Sequence, residues 1–247
     1  YKLAVILHNQ NEYSQAIQNF NKAYKYGLEN ATSLAAITYN NWGTYLADQS
    51  KYEDAITMFE LAVIHDQKCS MAYANWGEAL YRLARYDDAI VMYQKSIDLN
   101  PRTAAYYNMG IAYQDKQDYK NAINIYKKTI NFDPDCYLAY YYLGSIYSTI
   151  KKYKDYNKAI RMFEKTIKLR PKMVEAYFNL CNIFKEQGKL VREKKMFLKA
   201  IRLCDIFDNQ GKLVRENKRL IKDIRFALQL KIKRIQQNKH LLNRQSQ

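Results

Sequence analysis

The stretch Tyr39-Asn40-Asn41-Trp42-Gly43 returns as Tyr73-Ala74-Asn75-Trp76-Gly77, 34 residues further on. Recurrence at a fixed period of this length signals a repeat architecture. Aligned on the glycine, small residues stand at Ala4, Gly43, Gly77, Gly110 and Gly144, and the first departure is Cys181. Twelve residues after each comes Ala16, Ala55, Ala89 or Ala122, then Ala159 after a three-residue insertion. Four further on is an aromatic, Phe20, Phe59, Tyr93, Tyr126, Phe163 and Phe197, and three beyond it a small residue, Ala23, Ala62, Ser96, Thr129, Thr166 and Ala200. Pro101, Pro134 and Pro171 close three of the units.

Each position has a mechanical reason in a helix pair. Antiparallel helices approach closely only where side chains are small, so a glycine on one helix is expected opposite an alanine on the next. Tyr39, Tyr73, Tyr106, Tyr140 and Tyr177, each followed three residues later by Trp42, Trp76, Met109, Leu143 or Leu180, form an apolar stripe on every first helix. Proline cannot continue a helix, so it ends the second one. Seven Gly and three Pro leave few turn formers for many short strands, and with 48% hydrophobic and 26% charged residues the chain suits long helices around a core. The expected class is all-α.

These residues resemble the tetratricopeptide repeat, in about six tandem units: 1–35, 36–69, 70–102, 103–136, 137–173 and 174–207. The resemblance implies a right-handed α-solenoid of helix-turn-helix units over 1–207 whose first helices line a concave groove. Residues 208–247 are expected to form a separate basic amphipathic helix and tail. The sequence departs from the pattern at the enlarged turn Lys151 to Tyr156 and at Glu193, where Ala is expected. A degenerate last unit suits a cap.

The repeat's groove-facing positions can then be assigned. Its sixth position reads Asn41, Asn75, Asn108, Tyr142 and Asn179, a row of amides able to pair with a peptide backbone. This is similar to the asparagine ladder of O-linked GlcNAc transferase repeats. Tyr81, Tyr107, Tyr141, Tyr142 and Phe178 add aromatic area for apolar side chains of a peptide or helix. The remaining lining residues are acidic on balance, with Asp48, Glu78, Asp115, Glu175 and Glu186 against Arg82 and Lys185. The Lys, Arg and Asn set with which chaperone-binding relatives clamp a terminal carboxylate is not found in three consecutive units, so that clamp is not expected.

The chain carries +16, with 40 Lys and Arg against 24 Asp and Glu. Lys185 to Arg244 holds 18 basic against 6 acidic residues, an asymmetry that uniform codon bias does not produce. From Lys212 to about Leu242 the pattern predicts a long helix with Val214, Ile221, Leu228, Ile235 and Leu242 on one stripe and Lys218, Arg219, Lys222, Arg225, Lys231, Lys233 and Arg234 as its basic residues. An acidic protein or RNA is the expected partner of that helix.

No nucleophile setting, phosphate loop or zinc motif is recognisable, and Cys69, Cys136, Cys181 and Cys204 form no CxxC pair. Neither a cofactor nor a metal is expected. Asp87-Asp88 reads as a solvated cap in the turn between helices. The cysteines read as reduced thiols of an intracellular protein, cytoplasmic by default, with a mitochondrial or ciliary assembly left open. No run of about 18 apolar residues suggests a membrane span, and the start at Tyr1 reads as the interior of a longer protein. The reading is a non-catalytic scaffold or adaptor whose groove holds a peptide or helix within a larger assembly. The alternatives are a ribonucleoprotein component using its basic helix on RNA, and the substrate-recruiting arm of a larger enzyme.

Overall fold

The structure is a computed structural model and describes residues 1–200 apart from 29, 190, 194 and 197. The basic helix expected from Lys212, with Lys218 to Arg234, lies outside the described residues. The described residues are helical with no strand, and the chain divides into one compact unit, Tyr1–Ile146, and a second from Tyr147 onward.

In the first unit the helices run α1 (Lys2–Asn9), α2 (Tyr13–Lys25), α3 (Ala31–Asp48), α4 (Tyr52–His65), α5 (Ser70–Arg82), α6 (Tyr86–Leu99), α7 (Thr103–Asp115) and α8 (Tyr119–Phe132), followed by the start of α9 (Tyr137–Thr149). From α1 to α8 each helix packs on the next in sequence, and α5 also touches α3 and α7, so first helices lie side by side. The second unit contains a 3₁₀ turn at Lys151–Tyr153, then α10 (Tyr156–Leu169) packed on α11 (Val174–Glu186).

The glycine notch differs in one respect from expectation. A Cβ built on Gly43, Gly77 or Gly110 would lie 2.6, 2.8 or 2.5 Å from a ring carbon of Phe59, Tyr93 or Tyr126. The glycine therefore admits the aromatic of the second helix, not chiefly its alanine. Phe20, Phe59, Tyr93, Tyr126 and Phe163 are buried accordingly, and Ala16, Ala55, Ala89, Ala122 and Ala159 are fully buried beside them.

The hairpin turns share one geometry. Asn11, Ser50, Ala84, Gln117 and Gly188 all have φ between 57° and 68°, the left-handed region. In each turn the next residue's N–H reaches back five residues: Glu12 to the Leu7 carbonyl, Lys51 to Leu46, Arg85 to Leu80, Asp118 to Tyr113 and Lys189 to Phe184, at 2.8–3.0 Å. This is the Schellman closure, which favours glycine at the left-handed position, yet only the last of these turns has it. The enlarged turn is closed differently, by the Asp155 N–H on the Tyr147 carbonyl at 2.8 Å.

Second helices start on acids. Asp118 and Asp155 accept backbone N–H groups of Asn121 and Lys158 as N-caps. Asp87 and Asp88 lie within the first turn of α6, not in the connecting turn, where they complement the helix dipole. Helices α6, α8 and α10 end two residues before Pro101, Pro134 and Pro171.

Candidate functional site

Within Tyr1–Ile146 the first helices α3, α5, α7 and α9 carry Asn41, Asn75, Asn108 and Tyr142, all half-buried. Their amides are not equivalent. His8 Nδ1 lies 2.9 Å from Thr38 Oγ1, and the Thr38 hydroxyl donates to the Leu34 carbonyl at 2.7 Å. With its proton committed there, Thr38 must accept, so His8 carries its proton on Nδ1 and Nε2 accepts from Asn41 Nδ2 at 3.2 Å. Burial pushes the His8 pKa down, in keeping with a neutral ring.

The chain of hydrogen bonds continues along the stack. Asn40 Nδ2 donates to Asn41 Oδ1 at 3.3 Å, and Asn75 Nδ2 donates to Asn40 Oδ1 at 2.9 Å and to Thr44 Oγ1 at 3.3 Å. Both Asn75 donors are thereby used inside the protein, and its Oδ1 remains as an acceptor. Asn108 makes no side-chain hydrogen bond among the described residues and keeps both functions. Sequence reasoning named Asn41 and Asn75 but missed Asn40, His8 and Thr38. The signal was the Asn40-Asn41 pair, since a buried amide must find a partner.

Neighbouring aromatic side chains are also partly occupied. Tyr81 donates its phenol to Asp115 Oδ2 at 2.5 Å. Tyr142 stacks on buried Tyr126, with centroids 5.7 Å apart and planes 11° apart, and meets Tyr141 edge-on at 5.4 Å. Tyr107 is half-buried, and burial raises its pKa, as it does for Tyr142. Between α3 and α5 a pocket of about 330 Å³ is lined by residues that include Thr44, Asp48, Tyr52, Asn75, Glu78 and Arg82. Glu78 is held at both oxygens, by Arg82 Nε at 2.7 Å and the Tyr93 phenol at 3.1 Å. In the second unit, Phe178 and Asn179 sit half-buried on α11.

Among the described residues no group of three or more His, Cys, Asp or Glu could hold a metal ion. Cys69, Cys136 and Cys181 are buried and form no disulfide, and burial raises the pKa of the first two. No helix among the described residues is long and apolar enough to cross a membrane.

Helical hairpins of about this length, stacked with first helices side by side and a Gly-in-ring notch, define a helix-pair repeat protein. Models of the tetratricopeptide repeat match residues 1–26, 70–103 and 103–136, so the hairpins over those residues are repeats of this kind. Solved structures agree in fold. MamA (41-end) from Desulfovibrio magneticus RS-1 has a TM-score of 0.60 at 22% identity, covering 68% of this chain and 94% of that one. YrrB, described as a TPR protein with an unusual peptide-binding site, gives 0.57 at 19%, covering 74% and 91%. PilF of Pseudomonas aeruginosa gives 0.61 at 16%, covering 77% and 94%. No curated protein matches the chain in sequence. Repeats of this family are protein-interaction scaffolds, and that is the general class of this chain.

Proposed function

We propose that the face built by α3, α5, α7 and α9 in Tyr1–Ile146 holds an extended peptide or short helix of a partner protein, making the chain a non-catalytic scaffold within a larger assembly. The observation that carries this reading is the juxtaposition of half-exposed amides with aromatic side chains on helices lying side by side. Asn108 can both donate and accept, Asn75 can accept, and Tyr107 and Tyr142 offer apolar area beside them. The peptide-binding site of YrrB, on the same fold, supports it.

Peptides selected from a random display library on the whole chain supply the probe. The double variant Asn75→Ala with Asn108→Ala should bind the selected peptides at least tenfold more weakly in a calorimetric titration, with helicity unchanged. Undiminished affinity retires the amides. If Tyr107→Ala is equally silent, the face is not the binding surface.

A further inference from the structure

The division of the chain into two units also divides its charge. Tyr1–Ile146 contains 13 Lys and Arg against 15 Asp and Glu, whereas residues 147–247 contain 27 against 9. The basic character therefore begins inside the repeats, well before the terminal segment. Codon bias acting evenly on one chain cannot make one unit slightly acidic and the next strongly basic.

Within the second unit the charge is organised on α10. Lys158, Arg161, Lys165 and Lys168 follow each other at intervals of three and four residues, which places them on one side of the helix, about 5 Å apart along its axis. The opposite side holds buried Ala159, Phe163 and Thr166. Arg161 and Lys168 are exposed and make no ion pair among the described residues. Lys158 pairs with Asp155 at 3.1 Å, and Lys154, in the turn before the helix, with Glu186 at 3.2 Å. Tyrosines stand beside these cations: Lys152 lies 5.6 Å from the Tyr153 ring centroid, Lys154 4.7 Å from that of Tyr156, and Lys158 5.6 Å from that of Tyr147.

We propose that the basic side of α10 and the Lys151–Tyr153 turn form a docking surface for the backbone of single-stranded nucleic acid, a role beyond peptide binding by the first unit. Phosphates fit a row of ammonium groups that stay hydrated, and the half-buried rings of Tyr153 and Tyr156 beside the cations, unlike the buried Tyr147, offer faces on which unpaired bases stack. An acidic protein is the poorer occupant, because protein interfaces are depleted of lysine and this row is mostly lysine. An anionic membrane is poorer still. Surface-lying helices insert large apolar side chains, and no large apolar side chain described between Tyr147 and Lys189 is exposed.

The test uses the whole chain and a fluorescent 20-nucleotide single strand, as RNA and as DNA, with anisotropy read from 50 to 200 mM salt. Wild type should bind with a steep salt dependence. Lys152→Gln, Arg161→Gln and Lys168→Gln together, all at exposed positions, should weaken binding roughly tenfold or more and reduce the slope of log affinity on log salt by about two, since each single-strand contact contributes roughly 0.7. Helicity by circular dichroism should not change. Tyr153→Ala should weaken the single strand more than a duplex of the same sequence. A Lys152→Gln/Arg161→Gln/Lys168→Gln variant that binds within twofold of wild type with the same slope overturns the proposal, above all if Lys218→Gln, Lys222→Gln and Lys231→Gln abolish binding instead. Equal competition by poly-glutamate, or by vesicles with 30% phosphatidylserine, at matched charge overturns it as well.

Discussion

A single methyl group on Gly110 tests the notch on which the hairpins are built. In an ordinary helix interior Gly→Ala stabilises by about 0.8–1.0 kcal/mol, because alanine loses less backbone freedom. Here the new Cβ would stand 2.5, 2.8 and 3.0 Å from Cε1, Cδ1 and Cζ of Tyr126, against roughly 3.5–4.0 Å for relaxed carbon contacts. The ring has nowhere to go: it is fully buried, stacked on Tyr142, and its phenol donates to Gln114 at 3.3 Å. Overpacking costs about 1–3 kcal/mol, and a contact of 2.5 Å on a ring without room to move belongs in the upper part of that range, about 2–3, so that a net loss of about 1–2 kcal/mol remains after the propensity gain. Urea denaturation followed by circular dichroism reads this as a midpoint lowered by roughly 0.5–1 M for a slope of about 2 kcal/mol/M. Trimming the ring in the Gly110→Ala/Tyr126→Leu double variant should recover part of the methyl's cost, giving a coupling of at least about 1 kcal/mol in the cycle. A Gly110→Ala protein that is more stable than wild type would falsify the ring-in-notch packing.

Three further outcomes follow from particular contacts. Ala84→Gly should stabilise the chain by about 0.5–1 kcal/mol in the same assay, since a non-glycine at φ 57° carries about 1–2 kcal/mol of strain, partly offset by glycine's greater entropy when unfolded. Asn40→Ala should destabilise by about 1–3 kcal/mol, because it removes the acceptor of one Asn75 donor from a buried position. Burial lowers the pKa of His8 and His65 below the ordinary 6.5, so below that pH the unfolded chain takes up protons that the folded chain resists. Stability should therefore be fully present above about pH 6.5 and fall as pH drops through the folded values, and His8→Gln should flatten part of that slope in a pH series of thermal melts.

The repeats were legible because close packing restricts residue size at fixed intervals: Gly43, Gly77 and Gly110 must be small, Phe59, Tyr93 and Tyr126 must be flat, and Pro101 must stop a helix. What those residues do to one another was less legible. Spacing places Gly and Ala on facing helices but does not say that the ring fills the gap. The left-handed turns escaped notice because Asn11, Ser50, Ala84 and Gln117 carry no glycine, and their geometry is imposed by the packing of the helices on either side. The amide row was visible at Asn41, Asn75 and Asn108, whereas the inward commitments of the first two depend on His8 and Asn40, which no periodicity marks. Charge counted along the sequence pointed to Lys185 onward, and only the division at Ile146 showed that α10 belongs to the basic part.

Repeat arrays are often treated as strings of exchangeable modules, and the amide chain from His8 to Asn75 sets a limit on that freedom here. Excising residues 70–102 would bring Asn108, which stands two residues before its glycine as Asn75 does, into the place beside Asn40, and a donor for the buried carbonyl would still be at hand. Excising 70–136 would bring Tyr142 there instead, and the Asn40 carbonyl would lose its amide donor, at about 1–3 kcal/mol if left unsatisfied. Shortening this solenoid is thus governed by which neighbour a junction creates rather than by how many units remain, and the order of its repeats carries structural information that their shared outline does not.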